Sequence, residues 1–337
     1  MNLTLKNFKK KIICVTIGDI DGIGIHLLIK EFKKKKIKNF ILLSNIKIFI
    51  DNINLSIKKI NIIDLKSINK YDPKKFNILS YPTKNKYTNT LDSLNLSYKL
   101  TKEKYFIGIL TLPLNKNKIQ KKVDKNFIDQ TNFFSSKEKK TNTNMIFIHN
   151  DKFFIPLTIH IELKNVHNFY KNKRNVIYKI ESLMHSLKKD FKLKNPKIIL
   201  AGINPHAGEN NTISIDDSRY LKPLIKYFQN KKINIDGPCS GDGMINNYNL
   251  KRYQVFIFTY HDQALIPFKI ISDYEGVNFT SNLSVIRTSP SHGTAENLIN
   301  TNHAKSKGIL NSFKLILKIY KNRQNEWNQK NHLDKTF

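Results

Sequence analysis

Short apolar runs alternate along the chain with longer segments of helical spacing. Residues 11–17 are rich in β-branched side chains and predict a first strand, and residues 25–32 have the apolar spacing of a helix. The same pairing recurs, which predicts an α/β protein with a mostly parallel sheet. We predict further strands over 39–43, 105–110, 196–201 and 254–259, and further helices over 91–103, 176–188, 218–229, 294–300 and 306–321.

One pair of strands departs from this alternation. Residues 145–149 and 153–158 are both apolar, and only the turn sequence Asn150-Asp151-Lys152 separates them. A connection this short predicts an antiparallel hairpin. Repeats and low-complexity linkers are absent from the sequence, so we expect two closely joined α/β lobes.

Composition and charge narrow the class of protein. The chain has 337 residues, 40% of them apolar, which is typical of a folded globule. Its apolar runs are shorter than the roughly 18–20 residues of a spanning helix, and the run at 12–17 is too short for a secretory signal. Two cysteines are too few for a disulfide framework, so we expect a cytoplasmic protein without a membrane partner.

The net charge of +32 raises the question of nucleic-acid binding. The lysines, however, are scattered through every segment, with only small knots at 33–36 and 137–140. A nucleic-acid-binding motif or an Arg-rich arm does not accompany them. We therefore expect no nucleic-acid partner.

Three polar segments stand out against a background of Lys, Ile and Asn. They are 204–209, 260–263 and 287–295, and they concentrate His, Asp, Arg, Thr and Gly. The first two follow predicted strands directly, and His160 follows the second strand of the hairpin. Because ligands gather at the carboxyl ends of parallel strands, these segments are the candidate functional site.

Three histidines in these segments form a candidate metal site. His160, His206 and His261 lie far apart in sequence, which excludes a zinc knuckle or an HExxH helix. Three neutral imidazoles suit Zn, Co, Ni or Fe(II) and leave a coordination position open for catalysis. Asp242 and Asp262 are candidates to orient an imidazole. A histidine at a strand end is also often only hydrogen-bonded, so residue type alone leaves both interpretations open.

Two other features concern anions. The glycine-rich loop at 18–24 follows the first strand, but it lacks the GxGxxG pattern, and a tight turn between strand and helix explains its glycines as well. Lys269, Asn278 and Arg287 are suited to holding phosphate and carboxylate. Pro290 marks a turn into a predicted helix at Thr294, whose first N–H groups could receive an anion or a nucleotide.

Together these segments resemble a known family. In order and composition the chain is similar to the 4-hydroxythreonine-4-phosphate dehydrogenases of pyridoxal phosphate biosynthesis, which are related to isocitrate and isopropylmalate dehydrogenases. The resemblance covers nearly the whole chain. It rests on residues 18–24, 111–116, His160, 204–209 (Asn-Pro-His-Ala-Gly-Glu), 237–242, 260–263 (Tyr-His-Asp-Gln), 276–278 and 287–295.

The resemblance implies an architecture and its ligands. It implies two α/β/α lobes with mostly parallel sheets, residues 1–128 with about 295–330 in the first and 129–294 in the second, and an active site in the cleft between them. The second lobe would carry the metal ligands and the contacts of a homodimer. One divalent metal ion (Zn, Mg or Co) would bind His160, His206 and His261, and NAD or NADP would be the cofactor.

The resemblance also assigns roles to single residues. Lys269 and Asp242 are the implied catalytic residues. Substrate contacts fall on Gln130, Thr131, Lys269, Asn278 and Arg287, and cofactor contacts on His292, Gly293, Thr294 and Asn297.

Gln130 departs from the family pattern, which usually has a His-Thr pair at this position. A glutamine amide can donate a hydrogen bond to phosphate but carries no charge, so weaker substrate binding is expected. The exchange Gln130→His is then expected to lower KM.

The implied reaction is oxidation of 4-phosphooxy-L-threonine to 2-amino-3-oxo-4-phosphobutyrate, which decarboxylates to 3-amino-2-oxopropyl phosphate. Two alternatives stay open. The first is a sister dehydrogenase for another phosphorylated four-carbon hydroxy acid, such as phosphoerythronate or phosphothreonate. The second is a non-catalytic basic homologue.

Overall fold

The computed structural model describes residues 11–299, 301 and 304–333. The strands in chain order are β1 Ile13–Thr16, β2 Phe40–Leu43, β3 Ile60–Ile63, β4 Phe76–Leu79, β5 Gly108–Thr111, β6 Met145–His149, β7 Lys152–Pro156, β8 Ile198–Ala201, β9 Ile235–Cys239, β10 Val255–Phe258, β11 Val277–Thr280 and β12 Arg287–Pro290. The helices are α1 Ile23–Lys33, α2 Ile46–Asn52, α3 Lys86–Lys102, α4 Lys116–Lys122, α5 Gln130–Lys137, α6 Val166–Lys171, α7 Lys173–Phe191, α8 Lys222–Asn230, α9 Asn247–Arg252, α10 His261–Ser272 and α11 Lys307–Leu333.

The chain forms two compact units. The first comprises the described residues up to Lys139 together with Leu283–Lys321, and the second comprises Lys140–Asn282 together with the described residues from Asn322 onward. The sequence-based boundaries assign 129–139 and 283–294 to the second lobe, whereas in the structure these residues pack with the first unit. Gln130, Thr131 and Arg287 therefore belong to the first unit, and the three histidines belong to the second.

The first unit contains a parallel sheet with the strand order β3-β4-β2-β1-β5-β12. Its central strand β1 pairs through Ile13 with Phe40 of β2 on one side and with Gly108 of β5 on the other. Every residue of β1, β2, β4 and β5 is buried. Burial on both faces explains the nearly continuous apolar runs from which β1, β2 and β5 were predicted, whereas β4 was not predicted.

The second unit contains a sheet with the order β11-β6-β7-β10-β8-β9. β6 runs antiparallel to β11 and β7, and the remaining neighbours are parallel. The predicted hairpin is confirmed, with Asn150 in the left-handed region of its turn at φ 53°. Stacked Phe154, Phe256 and Phe258 form the centre of this core.

The predicted α/β class with a mostly parallel sheet is confirmed. The helix predicted over 294–300 is wrong within its described residues, because the chain there forms only a 3₁₀ turn, Glu296–Leu298, after Ala295 at φ 38°; Asn300 lies outside the described residues. The helix predicted over 218–229 begins as a π-helical turn, Asp217–Leu221, and continues as α8. Helix α10 was not predicted.

The described helices include none with enough length and apolar character to cross a membrane.

Candidate active site

The three candidate histidines follow three neighbouring strands of the second unit. β10 lies between β7 and β8 and is parallel to both. His160 follows β7, His206 follows β8, and His261, after β10, is the first residue of α10. Parallel neighbours end at the same edge of a sheet, so the topology brings all three histidines to one edge.

Two of the three imidazoles lie side by side. The ring centres of His160 and His261 are 5.6 Å apart. Two imidazoles on one tetrahedral zinc ion have ring centres roughly 5 Å apart, given Zn–N distances of about 2.0–2.1 Å. Both rings line a cavity of about 300 Å³, which Thr158, Tyr260 and Asp262 also line. The pair and its cavity fit a small divalent cation.

Asp262 orients one of these rings. The Nδ1 atom of His261 lies 2.6 Å from the Asp262 carboxylate. A carboxylate at Nδ1 fixes the orientation of the ring and leaves Nε2 as the nitrogen that binds a cation. Asp262 thus occupies the orienting role that the sequence suggested for it.

His206 occupies an unusual backbone. Residues 206–211 all have positive φ, from 43° to 80°, and together form a left-handed turn. Each non-glycine residue in such a turn is strained by roughly 1–2 kcal/mol. His206 is exposed and lies beside Asp242, whose pKa it helps to lower. Within the described residues, no group of three or more His, Cys, Asp or Glu side chains is assembled for a metal ion.

Asp217 holds the segment that precedes this turn. Its fully buried carboxylate accepts hydrogen bonds from the backbone N–H of Ile203 at 2.7 Å and of Asn204 at 3.3 Å. The side-chain amide of Asn204 adds a third at 3.0 Å. Sequence reasoning missed Asp217, although an acidic residue at the start of a predicted helix was a visible signal. The aspartate fixes where the His206 turn begins.

Asp242 is an ionised carboxylate near His206. The Ser240 hydroxyl and the Gly243 N–H donate to it, and these hydrogen bonds, with His206 nearby, hold its pKa below the ordinary value. A carboxylate with a lowered pKa is a weaker proton acceptor. The environment of Asp242 therefore favours pairing with a positive partner over general-base catalysis.

Lys269 and Asn278 also lie in the second unit. Lys269 is exposed near the end of α10. Asn278 lies in β11, and its buried Oδ1 has no hydrogen-bond partner among the described residues. An orphaned buried amide oxygen is costly, which makes Asn278 a candidate to bind a ligand that donates to it.

Arg287 is the centre of the candidate anion site in the first unit. It is 2% exposed, and Nε and Nη2 donate to the Thr111 hydroxyl at 3.0 and 2.7 Å. Nη1 lies 3.4 Å from the Thr131 hydroxyl, and Nη2 donates to Gln130 Oε1 at 2.5 Å. Burial lowers the pKa of Arg287 to about 10, opposed by the charge of Asp129, so the guanidinium stays protonated at neutral pH.

The glycine loop at 18–24 is explained by packing. Gly18 has φ 66°, and a β-carbon there would lie 2.5 Å from the Pro113 carbonyl oxygen. Lys118 lies close to the loop, 3.0 Å from Asp19, 3.4 Å from Asp21 and 2.8 Å from Glu296. Carboxylates at this end of the loop oppose a phosphate, so the structure favours the tight-turn interpretation.

The predicted cofactor residues lie close to this loop, in the same unit. The Thr294 carbonyl accepts the N–H of Ile23 at 2.8 Å, which occupies a donor at the start of α1. Burial lowers the pKa of His292, whose Nε2 is buried without a partner among the described residues. Gly293 and Asn297 are exposed, and a β-carbon on Gly293 would meet no atom within 4 Å. His292 and Gly293 are the two that leave room for a ligand.

Comparisons with known proteins identify the same family over most of the chain. A family model described as pyridoxal phosphate biosynthetic protein PdxA matches residues 19–316. A 4-hydroxythreonine-4-phosphate dehydrogenase of Aquifex aeolicus (strain VF5) is 32% identical over 321 residues, which cover 91% of this chain and 97% of the relative. The enzyme of the same name from Zymomonas mobilis is 29% identical and covers 93% and 97%.

A solved structure of a protein with the same name is also similar to this chain. The crystal structure of 4-hydroxythreonine-4-phosphate dehydrogenase from Klebsiella pneumoniae is 25% identical to this chain, with a TM-score of 0.74. The similarity covers 92% of this chain and 100% of that structure. Sequence and fold therefore agree on one set of relatives.

Proposed function

Because the chain belongs to the PdxA family of pyridoxal phosphate biosynthetic proteins, we propose that it is a dehydrogenase that oxidises 4-phosphooxy-L-threonine with NAD or NADP. The product, 2-amino-3-oxo-4-phosphobutyrate, carries a carbonyl β to its carboxylate. It would lose CO2 to give 3-amino-2-oxopropyl phosphate. The relatives of this name, similar over nine-tenths of the chain, are the observation that carries the proposal.

His160, His206 and His261 are proposed to hold a divalent cation, Zn, Mg or Co. The 5.6 Å spacing of the first and third rings and the strand neighbours β7, β10 and β8 support this. When bound, the cation would polarise the substrate hydroxyl, and the nicotinamide ring would accept the hydride. Asp262 would keep the His261 ring oriented, and Asp217 would hold the chain before His206.

The other residues act on the charges of the substrate. Arg287, supported by Thr111 and Thr131, would bind an anionic group of the substrate through its fixed guanidinium plane. Asn278 would accept a hydrogen bond at its orphaned Oδ1, and Lys269 would be the general base or a further cationic contact. The proposed cofactor contacts are His292, Gly293, Thr294 and Asn297.

We propose that the active protein is a homodimer formed by the second unit. Ile266 and Ile270, one helical turn apart on α10, are 62% and 76% exposed, and Tyr274 beyond the helix is 51% exposed. Leu163, close in sequence to His160, is 67% exposed. Large exposed apolar side chains on the helix that begins at His261 are typical of a covered surface, and a second copy is the proposed partner. The free thiols Cys14 and Cys239 fit the cytoplasm.

The proposal is tested by measuring NAD reduction with 4-phosphooxy-L-threonine. We expect turnover that a chelator abolishes and that Zn, Mg or Co restores. Phosphoerythronate and phosphothreonate are run in parallel. Turnover of those acids but not of 4-phosphooxy-L-threonine would identify a sister dehydrogenase, and folded protein without any turnover would indicate a non-catalytic homologue.

Metal content gives a second measurement. His206→Ala is expected to lose turnover and about one equivalent of bound metal, because one of three ligands is gone. His185→Ala, which removes an exposed histidine of α7, is the matched control and should keep both. Full metal content in His206→Ala would contradict the assignment.

A further inference from the structure

Gln130 is held at both ends of its side-chain amide. Its Oε1 accepts from Arg287 Nη2 at 2.5 Å, and its Nε2 donates to the Leu112 carbonyl at 2.9 Å. It is the first residue of α5, after the N-cap Asp129, so its backbone position is also fixed. The side chain thus joins the end of β5 to the arginine of β12.

The two partners allow only one orientation of the amide. A guanidinium can only donate hydrogen bonds, and a backbone carbonyl can only accept them. Oε1 must therefore face Arg287, and Nε2 must face Leu112. Glutamine supplies one acceptor and one donor at the required reach, whereas glutamate would place an oxygen against the Leu112 carbonyl.

We infer that Gln130 is a positioning residue that fixes the guanidinium of Arg287 for an anionic group, rather than a direct contact of that group. The inference rests on the proposed function for the identity of the substrate, but the contacts themselves are independent of it. It also changes what we expect from the glutamine that departs from the family pattern. The Gln130 amide is hydrogen-bonded to Arg287 and to Leu112, so the replacement does not leave a substrate contact unfilled.

A neutral amide makes this support independent of pH. A neutral histidine at position 130 could accept from Arg287 and donate to Leu112 in a single tautomer. Once protonated, near pH 6.5, it would lose its acceptor and repel the guanidinium. Gln130→His should therefore function at pH 8 and fail at pH 6.

The test compares Gln130→His and Gln130→Glu with the unchanged protein between pH 6 and pH 8. KM for 4-phosphooxy-L-threonine is expressed as a ratio to the unchanged protein at each pH, so that titration of the substrate cancels. The matched control is Gln120→His, since Gln120 also donates one hydrogen bond to a carbonyl, that of Phe127 at 2.8 Å.

For Gln130→His we expect a KM ratio near one at pH 8 that rises about tenfold at pH 6, the size of a lost hydrogen bond to a charged group. kcat should change much less. Gln130→Glu should raise KM about tenfold or more at every pH, and Gln120→His should show no pH-dependent ratio.

Protection by inorganic phosphate against thermal unfolding is the second readout and needs no turnover. We expect protection of Gln130→His to fall at pH 6 in the same way as its KM ratio rises. The inference would be overturned if the KM ratio and the phosphate protection of Gln130→His changed between pH 8 and pH 6 no more than those of Gln120→His. If the unchanged protein does not oxidise the substrate, the proposed function fails, and phosphate protection alone then decides the role of Gln130.

Discussion

Asp217 gives the sharpest test of how the fold holds the candidate metal site. The substitution Asp217→Asn keeps the size of the side chain and one oxygen, but it removes the charge and turns one acceptor into a donor. The carboxylate it replaces is fully buried and accepts from Ile203 N–H, Asn204 N–H and the Asn204 side-chain amide. One of these donors would face an N–H₂ group in the variant.

The size of the effect follows from these contacts. A hydrogen bond to a charged group contributes about 1.5–3 kcal/mol, and a buried donor left without a partner costs about 1–3 kcal/mol. Losing the charge and one acceptor is therefore expected to cost about 2–4 kcal/mol. The turn 206–211 contains five non-glycine residues with positive φ, strained by roughly 5–10 kcal/mol in total, so weakening its anchor lets the turn relax.

The measurement uses metal-free protein, so that any loss of metal does not enter. Amide hydrogen exchange reports the Ile203 N–H directly, and urea unfolding reports global stability. A cost of about 2–4 kcal/mol corresponds to exchange at Ile203 roughly 30 to 900 times faster. Asp216→Asn, one residue away, removes the same charge and should leave exchange at Ile203 within about twofold. Equal exchange in the two variants would refute the role of Asp217.

Two further predictions concern the second unit. Lys179 lies over the ring of Phe169, and burial lowers its pKa to about 8, against about 10.4 in the unfolded chain. The folded protein therefore holds this proton less tightly than the unfolded chain does. The charged form of Lys179 opposes folding below pH 8, and the free energy of unfolding rises between about pH 8 and 10.4. Lys179→Met should raise the urea midpoint at pH 7 and lose that advantage near pH 10.4. The control, Lys188→Met, changes an exposed lysine and should show no such trend. If the advantage of Lys179→Met did not depend on pH, the lowered pKa of Lys179 would not be its cause. Ile270→Asp should give a folded monomer by sedimentation, with Tyr178→Asp as the exposed control, and the dimer surface is wrong if Ile270→Asp remains a dimer.

Strands β1, β2, β5, β8 and β10 could be predicted because burial on both faces leaves a nearly continuous apolar run in the sequence, whereas β3, β4, β9 and β12 were not predicted. β1, with all four residues buried, is the example. Helix α10 could not be predicted in the same way. It begins with the polar residues His261-Asp262-Gln263 and contains Pro267, which normally interrupts a helix. Packing of Ala264, Leu265 and Phe268 into the core stabilises it despite the proline.

The helix expected from Thr294 failed for a non-local reason. The Thr294 carbonyl accepts the N–H of Ile23, and Ala295 adopts φ 38°, which a right-handed helix excludes. Nothing in the local sequence shows that a segment near the N-terminus occupies this carbonyl. Local propensity favoured a helix, and the distant contact decided the conformation.

The candidate site shows the same difference between features that the local sequence reveals and features that depend on distant contacts. The placement of His160, His206 and His261 after strand ends could be predicted because the sequence reveals those strands, and their binding of a metal ion stays a prediction. The contact of Gln130 with Arg287 joins residues 157 positions apart, and the sequence gives no sign that the amide is already used. Candidate ligand-binding residues are visible from their chemistry, whereas the residues that hold them in place become visible only with the fold.

Asp217 and Gln130 each form a hydrogen bond in which only one of the two partners is charged, but the charged partner differs. Asp217 presents a charged acceptor to neutral N–H donors, and Gln130 presents a neutral acceptor to the charged donors of Arg287. In each contact one partner carries the charge, which gives a strong hydrogen bond without the desolvation of a second buried ion. Removing the single charge, as in Asp217→Asn, and adding a second one, as in Gln130→Glu, should therefore both be harmful. A Gln130→Glu protein that bound phosphate more tightly than the unchanged protein would show that an ion pair is tolerated at this position and that the reasoning fails there.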